Sequence, residues 1–201
     1  MPQPLCSDDR RRLLLLARTF LTEVIQYNRI PELPPLIGRS AEPAGAFVTL
    51  HCRGRLRGCV GLPRPNLPLG ETVAQATVSA ACNDPRFAPI GTVELPDVEI
   101  EISVLSEARP ISPRSVEVGR HGLIVIRGSG RGLLLPQVAT ERGWAVERFL
   151  EECRLKAGLP ADAWQDPETQ LLAFEAEVFS EREFRMAGRG TAETRAPQPK
   201  P

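Results

Sequence analysis

Lysine is nearly absent: of 25 basic residues only Lys156 and Lys200 are not arginine. The 25 acidic residues cancel them, leaving zero formal net charge, so no global field exists for gripping a polyanion or an anionic membrane. Aromatic residues make up 5% of the chain, which excludes an interleaved platform for stacking bases and argues against specific nucleic-acid binding. No apolar run approaches the ~18 residues of a membrane span. Leu13 to Ala17, after three arginines, falls short of the ~7–15 apolar residues of a signal peptide. The 5 cysteines, Cys6, Cys52, Cys59, Cys82 and Cys153, are odd in number and contain no C-x-x-C pair, a pattern that predicts free thiols in a reducing, cytoplasmic setting. With only His51 and His121 available, no pair of ligands has the close spacing of a zinc site, so no metal is expected. No period of ~20–50 residues repeats.

What is present fits one domain, or one domain of two lobes, with ordered loops rich in proline. Ser7, followed by Asp8 and Asp9, is the expected cap of a first helix whose Leu13, Leu16, Ala17, Phe20, Leu21 and Val24 form an apolar face. An irregular connector spans Pro31 to Pro43. Ala46 to Cys52 and Arg55 to Val60 predict two strands turning at Arg53-Gly54. A helix of small residues follows over Glu71 to Cys82, ended by Asn83-Asp84-Pro85. Val98, Ile100, Ile102 and Val104 alternate with polar residues and give the clearest strand. Leu123 to Ile126 and Leu133 to Leu135 predict a second hairpin with a mobile tip over Gly128 to Gly132. Trp144 to Ala157 is an amphipathic helix stopped by Gly158. Leu172, Phe174, Ala176 and Val178 predict one late strand. Beyond Met186 the polar chain predicts a disordered tail over 187–201, leaving 1–186 as the domain. Hairpins and helices mixed without a βαβ rhythm predict an α+β fold, with mixed or antiparallel sheets and flanking helices.

Chemistry concentrates in Leu56-Arg57-Gly58-Cys59-Val60-Gly61. Between Glu42 and Glu71 there is no acid, while Arg53, Arg55, Arg57 and Arg64 all fall inside. Strand alternation puts Arg55, Arg57 and Cys59 on one face. A guanidinium two strand positions away, about 7 Å, favours a thiolate by roughly 0.6–2.4 kcal/mol depending on the dielectric. The plain alternative makes Cys59 a small buried hydrophobe between glycines that permit close packing. A nucleophilic cysteine needs a base. A two-residue turn projects His51 to the face opposite Cys59, whereas His121, in the turn Gly119-Arg120-His121-Gly122, is free to reach a cleft. Asp84 and Arg86 flank Pro85, where the arginine suits a carboxylate or phosphate, or where Asp84 simply caps a turn and Phe87 plugs the core.

Several segments, in order, resemble a known family: Ala46-Phe47-Val48-Thr49-Leu50, the hexad Leu56 to Gly61, Asp84-Pro85-Arg86-Phe87, Ile102-Ser103-Val104-Leu105-Ser106, Gly119-Arg120-His121-Gly122 and Leu134-Leu135-Pro136-Gln137-Val138. They are similar to the AMMECR family, known in prokaryotes through the AmmeMemoRadiSam system. Val60 stands where the family pattern has Ile. The resemblance implies two unequal lobes, the larger from both chain ends and the smaller from the middle, with the hexad near a cleft between them. It also implies association with a Memo-like protein and a radical SAM protein, and it implies no cofactor and no established reaction. Two readings follow. In one, Cys59 is a nucleophile or attachment point, His121 its acid/base, and Arg57, Gly58, Gly61, Asp84 and Arg86 bind an anionic small molecule. In the other, the protein is a non-enzymatic adaptor whose hexad is structural or docks a partner.

Overall fold

The computed structural model describes residues 4–184, so the tail over 187–201 lies outside the described residues. Two compact units are present, one running Leu105–Glu177 and the other joining the chain up to Val104 with the chain from Val178 on.

In the unit built from both ends, α1 spans Ser7–Tyr27. Its cap is Cys6 and not Ser7: Ser7 is already helical, whereas Cys6 has extended backbone (φ −71°, ψ 166°). The Cys6 sulfur accepts the Asp9 N–H at 3.5 Å, and the Asp9 carboxylate accepts the Cys6 N–H at 3.3 Å. The helix ends where Asn28 turns left-handed, φ 51°. β1 (Ala46–Cys52) and β2 (Arg55–Leu62) form the expected antiparallel hairpin. Arg53 and Gly54 have φ of 51° and 75°, the paired left-handed residues that a two-residue type I′ turn requires. After α2, Leu69–Cys82, β3 (Val98–Leu105) pairs antiparallel with β1. The sheet order is β2-β1-β3-β8, where β8 is Ala176–Ser180.

Every second residue of this sheet enters one core. Ala46, Val48 and Leu50 of β1 and Val98, Ile100, Ile102 and Val104 of β3 pack with Leu13, Leu14, Ala17 and Leu21 of α1, Val73, Ala76 and Ala80 of α2, and Phe179. Each of the larger side chains contributes about 1.5–3 kcal/mol by leaving water. The opposite face carries Phe47, Thr49, His51, Glu99, Glu101 and Ser103, of which Thr49 and Ser103 are buried.

The unit Leu105–Glu177 holds a second sheet, order β4-β7-β5-β6, made of β4 (Arg109–Pro110), β5 (Gly122–Arg127), β6 (Gly130–Leu134) and β7 (Gln170–Phe174). Short α3 (Pro136–Glu141) and α4 (Val146–Lys156) accompany it. Leu123, Val125, Leu134, Phe149, Cys153 and Leu171 form its core. The glycines over 128–132 do not all belong to the hairpin tip. Only Gly128-Ser129 turn, and Gly130 to Gly132 continue as strand; a Cβ on Gly132 would lie 2.3 Å from the Cys153 carbonyl oxygen, so this glycine lets α4 rest on β6. The single late strand expected over 172–178 is two strands broken at Glu175, one in each sheet. In β8 the core residue is Phe179, while Val178 is 40% exposed. The α+β class holds.

Candidate functional site

β2 leaves the turn in simple register, with Cys52 opposite Arg55 and His51 opposite Leu56, and then slips: Leu50 pairs with Gly58, Thr49 with Cys59 and Val48 with Val60. Arg57 is the extra residue of a β-bulge. A one-residue slip exchanges the faces of everything beyond it, which corrects two expectations. Arg55 lies opposite Cys52 and does not share a face with Cys59. His51, expected on the face opposite Cys59, shares its face through Thr49.

Both hexad glycines have packing reasons. A Cβ on Gly58 would sit 2.1 Å from the Ala80 carbonyl oxygen of α2, and one on Gly61 would sit 2.2 Å from the Phe47 ring.

β2 is an outer strand, and the Cys59 backbone points away from β1 into a clamp. Its N–H donates to Asp84 Oδ2 at 2.8 Å, and its carbonyl accepts Arg86 Nη2 at 3.1 Å. Asp84 and Arg86 are bound to each other side-on, Nε to Oδ1 at 2.9 Å and Nη2 to Oδ2 at 2.7 Å, and the Arg86 N–H adds a bond to Oδ1 at 3.1 Å. The pair thus stands in for one residue of a missing neighbour strand, closing the edge at Cys59. The Asp84 side chain is 3% exposed and that of Arg86 54%. The Arg86 hydrogen bonds hold the Asp84 carboxyl well below the usual carboxylate range, against burial and helped by the N–H groups of Cys59 and Arg86. Because the Cys59 backbone bonds point outward, Cys59 and Thr49 form a non-hydrogen-bonded pair, the arrangement in which facing side chains come closest. The Thr49 hydroxyl donates to Cys59 Sγ at 3.4 Å, and Cys59 is partly exposed.

Arg57 is engaged elsewhere. Its Nε and Nη2 donate to Glu94 at 2.7 and 3.0 Å, Nη1 to the Ala88 carbonyl at 2.6 Å and Nη2 to the Pro89 carbonyl at 3.1 Å. It fastens the segment after α2 to the bulge, and its hydrogen bonds lower the Glu94 carboxyl from its ordinary value. Arg53 pairs with Asp97 at 2.8 Å. Two of the four hairpin arginines are therefore neutralised by Glu94 and Asp97. Arg55 and Arg64 are exposed.

His121 belongs to the unit Leu105–Glu177, and Cys59 to the other. The His121 Nδ1 accepts the Glu117 N–H at 3.0 Å, and the His121 N–H donates to the Glu117 carbonyl at 3.0 Å, closing its own turn. Thr49, Glu94 and the placement of His51 escaped sequence reasoning because the bulge that organises them has no marker residue. Burial pushes the Cys153 thiol up to about 11 and raises that of Cys82, which disfavours the thiolate in both. Among the described residues no group of three or more His, Cys, Asp or Glu is arranged to hold a metal, and no helix is long and apolar enough to cross a membrane.

The AMMECR1 family model matches residues 14–179. A protein from Methanothermobacter thermautotrophicus is 44% identical over 188 residues, covering 89% of this chain and 97% of that one. Protein MK0488 from Methanopyrus kandleri is 41% identical over 193 residues, covering 91% and 93%. The crystal structure of the uncharacterized protein PH0010 from Pyrococcus horikoshii superposes with a TM-score of 0.79 at 41% identity, covering 85% of this chain and 90% of that one.

Proposed function

The chain belongs to the AMMECR1 family, and from that premise we propose that Cys59 is the reacting thiol of a site for an anionic substrate, with Arg86 holding the anion. The observation that carries this reading is the state of the Arg86 guanidinium. One edge is fixed by Asp84 and the Cys59 carbonyl, and the guanidinium lies 5.4 Å from the Phe87 ring centroid, while the side chain stays 54% exposed. A guanidinium held in place on one side binds with little ordering cost on the other. Asp84 cancels its net charge, so attraction of an anion depends also on exposed Arg55 and Arg64. The chemistry is nucleophilic: Sγ bonds to an electrophilic carbon, the bond to the leaving group breaks with its electron pair, and the thiol proton goes to a base. Gly58 and Gly61 serve this site by packing. A cytoplasmic setting with Memo-like and radical SAM partners belongs to the same reading and rests on the resemblance.

The adaptor reading draws support from a different observation, namely that Arg57, Gly58, Gly61 and Asp84 each have a structural duty. Loss of partner capture by Arg57→Ala and Cys59→Ser variants in pull-downs with the Memo-like and radical SAM proteins would favour it.

Iodoacetamide labelling of the native protein, resolved thiol by thiol by mass spectrometry, tests the enzymatic reading. Pyrophosphate or citrate is expected to slow Cys59 labelling severalfold in wild type and not in Arg86→Ala. Labelling of Cys59 only after unfolding, or labelling indifferent to both anions, would overturn the reading.

A further inference from the structure

The bulge at Arg57 brings three chemically active side chains to one sheet face from three adjacent strands. We propose that His51, with Glu99 beside it, takes the proton from Cys59, making the polar face of the first sheet the reacting surface. The proposal rests on Cys59 being the reacting thiol. His51 stands directly opposite Glu99 on β3 and Leu56 on β2, and one step along β1 from the Thr49–Cys59 pair. Directly opposed Cβ atoms lie about 4.5–5.5 Å apart, and diagonal neighbours such as His51 and Cys59 about 7–8 Å, within reach of an imidazole.

The other charged groups beside His51 are Glu101, diagonal on β3, and Arg57, the bulge residue next to the facing Leu56 on β2, whose guanidinium is held by Glu94. The side chains of His51 and Glu99 are half-buried and form no hydrogen bond or ion pair among the described residues. They are not tied to each other or to Cys59 in this state, and catalytic hydrogen bonds often form only when substrate is bound. His121, by contrast, has Nδ1 committed to the Glu117 N–H.

In the step itself the proton leaves Cys59 Sγ for an imidazole nitrogen, giving a thiolate and an imidazolium. Glu99 opposes the imidazolium charge, Thr49 keeps its hydroxyl on the sulfur, and no electrons change hands. This is the nucleophile, base and orienting acid of a cysteine enzyme, laid across β2, β1 and β3.

Labelling rates of Cys59 near pH 6 and near pH 9.5 separate a proton relay from a mere change in access, because most thiols are ionised at the higher pH whatever their neighbours. His51→Gln is expected to slow Cys59 about tenfold near pH 6 and less than about twofold near pH 9.5. Glu99→Gln should give about threefold at the lower pH, and His121→Gln no change at either. Continued protection of Cys153 in each variant verifies the fold. An equal effect of His51→Gln at both pH values, no effect, or the same loss in His121→Gln would overturn the relay. If Cys59 labels natively and is shielded by anions yet ignores His51, the relay fails and the proposed function stands; if Cys59 is inert in the native protein, both fail.

Discussion

The hairpins β1–β2 and β5–β6 use the same packing device. In each, a glycine on the outer strand faces a helix: a Cβ would meet the Ala80 carbonyl oxygen at 2.1 Å from Gly58, and the Cys153 carbonyl oxygen at 2.3 Å from Gly132. Their other faces differ. Leu123, Ile124 and Val125 of β5 are all buried, so that strand is apolar on both sides. β1 turns Thr49 and His51 outward from its core, and β2 adds Cys59. The thiols follow the same division: Cys153 is fully buried and pushed up to about 11, whereas Cys59 is partly exposed under a hydroxyl. Gly58 and Gly132 each mark a helix lying close, and the chemistry has to be read from the face behind them.

Gly58→Ala and Gly132→Ala should each destabilise the protein by about 3 kcal/mol or more in denaturant unfolding, since the atom struck is backbone. Gly61→Ala should lose about 1–2 kcal/mol, because the Phe47 ring can swing aside. A loss below about 0.5 kcal/mol for Gly58→Ala would contradict the close approach of α2.

A second effect is particular to the first hairpin. Asp84→Asn should cost about 2–3 kcal/mol near pH 7, less than the ~3–5 kcal/mol of a fully buried pair because Arg86 is half exposed. The folded-state value of Asp84 is depressed below its unfolded value near 3.9. Its contribution is therefore complete above about pH 4 and is lost as pH falls through the depressed folded value. Urea midpoints should show the gap between wild type and Asp84→Asn closing below about pH 4. Glu94, lowered by Arg57, leaves the variant a residual acid sensitivity. A gap that stays constant with pH would contradict the clamp.

Much of the fold was legible because it follows from local rules: the period of Val98 to Val104, the turn at Arg53-Gly54, and the stop at Gly158 each act within a few residues. Cys6 in place of Ser7, and the break at Glu175, were lost because a cap shifts by one residue freely and because two short strands in different sheets can mimic one alternation. Among site residues, the meeting of Asp84 and Arg86 beside Cys59 follows from a motif that was visible, though its duty at a strand edge depends on β2 being outermost, a tertiary fact. The faces of Cys59 and His51 were misjudged together, and for one reason. Alternation is counted from the turn, and the bulge at Arg57 adds one residue to the count.

The faces of Cys59 and His51 both depend on that bulge, and a cross-strand disulfide reports on it. A non-hydrogen-bonded pair holds its Cα atoms about 4.5 Å apart, inside the ~4.4–6.8 Å range that a disulfide spans. Under mild oxidation Thr49→Cys should bridge to Cys59, seen as a linked peptide in non-reducing mass spectrometry, while Val48→Cys should not. Bridging by Val48→Cys and none by Thr49→Cys would show an unbulged strand, and would return His51 to the far side of the sheet from Cys59.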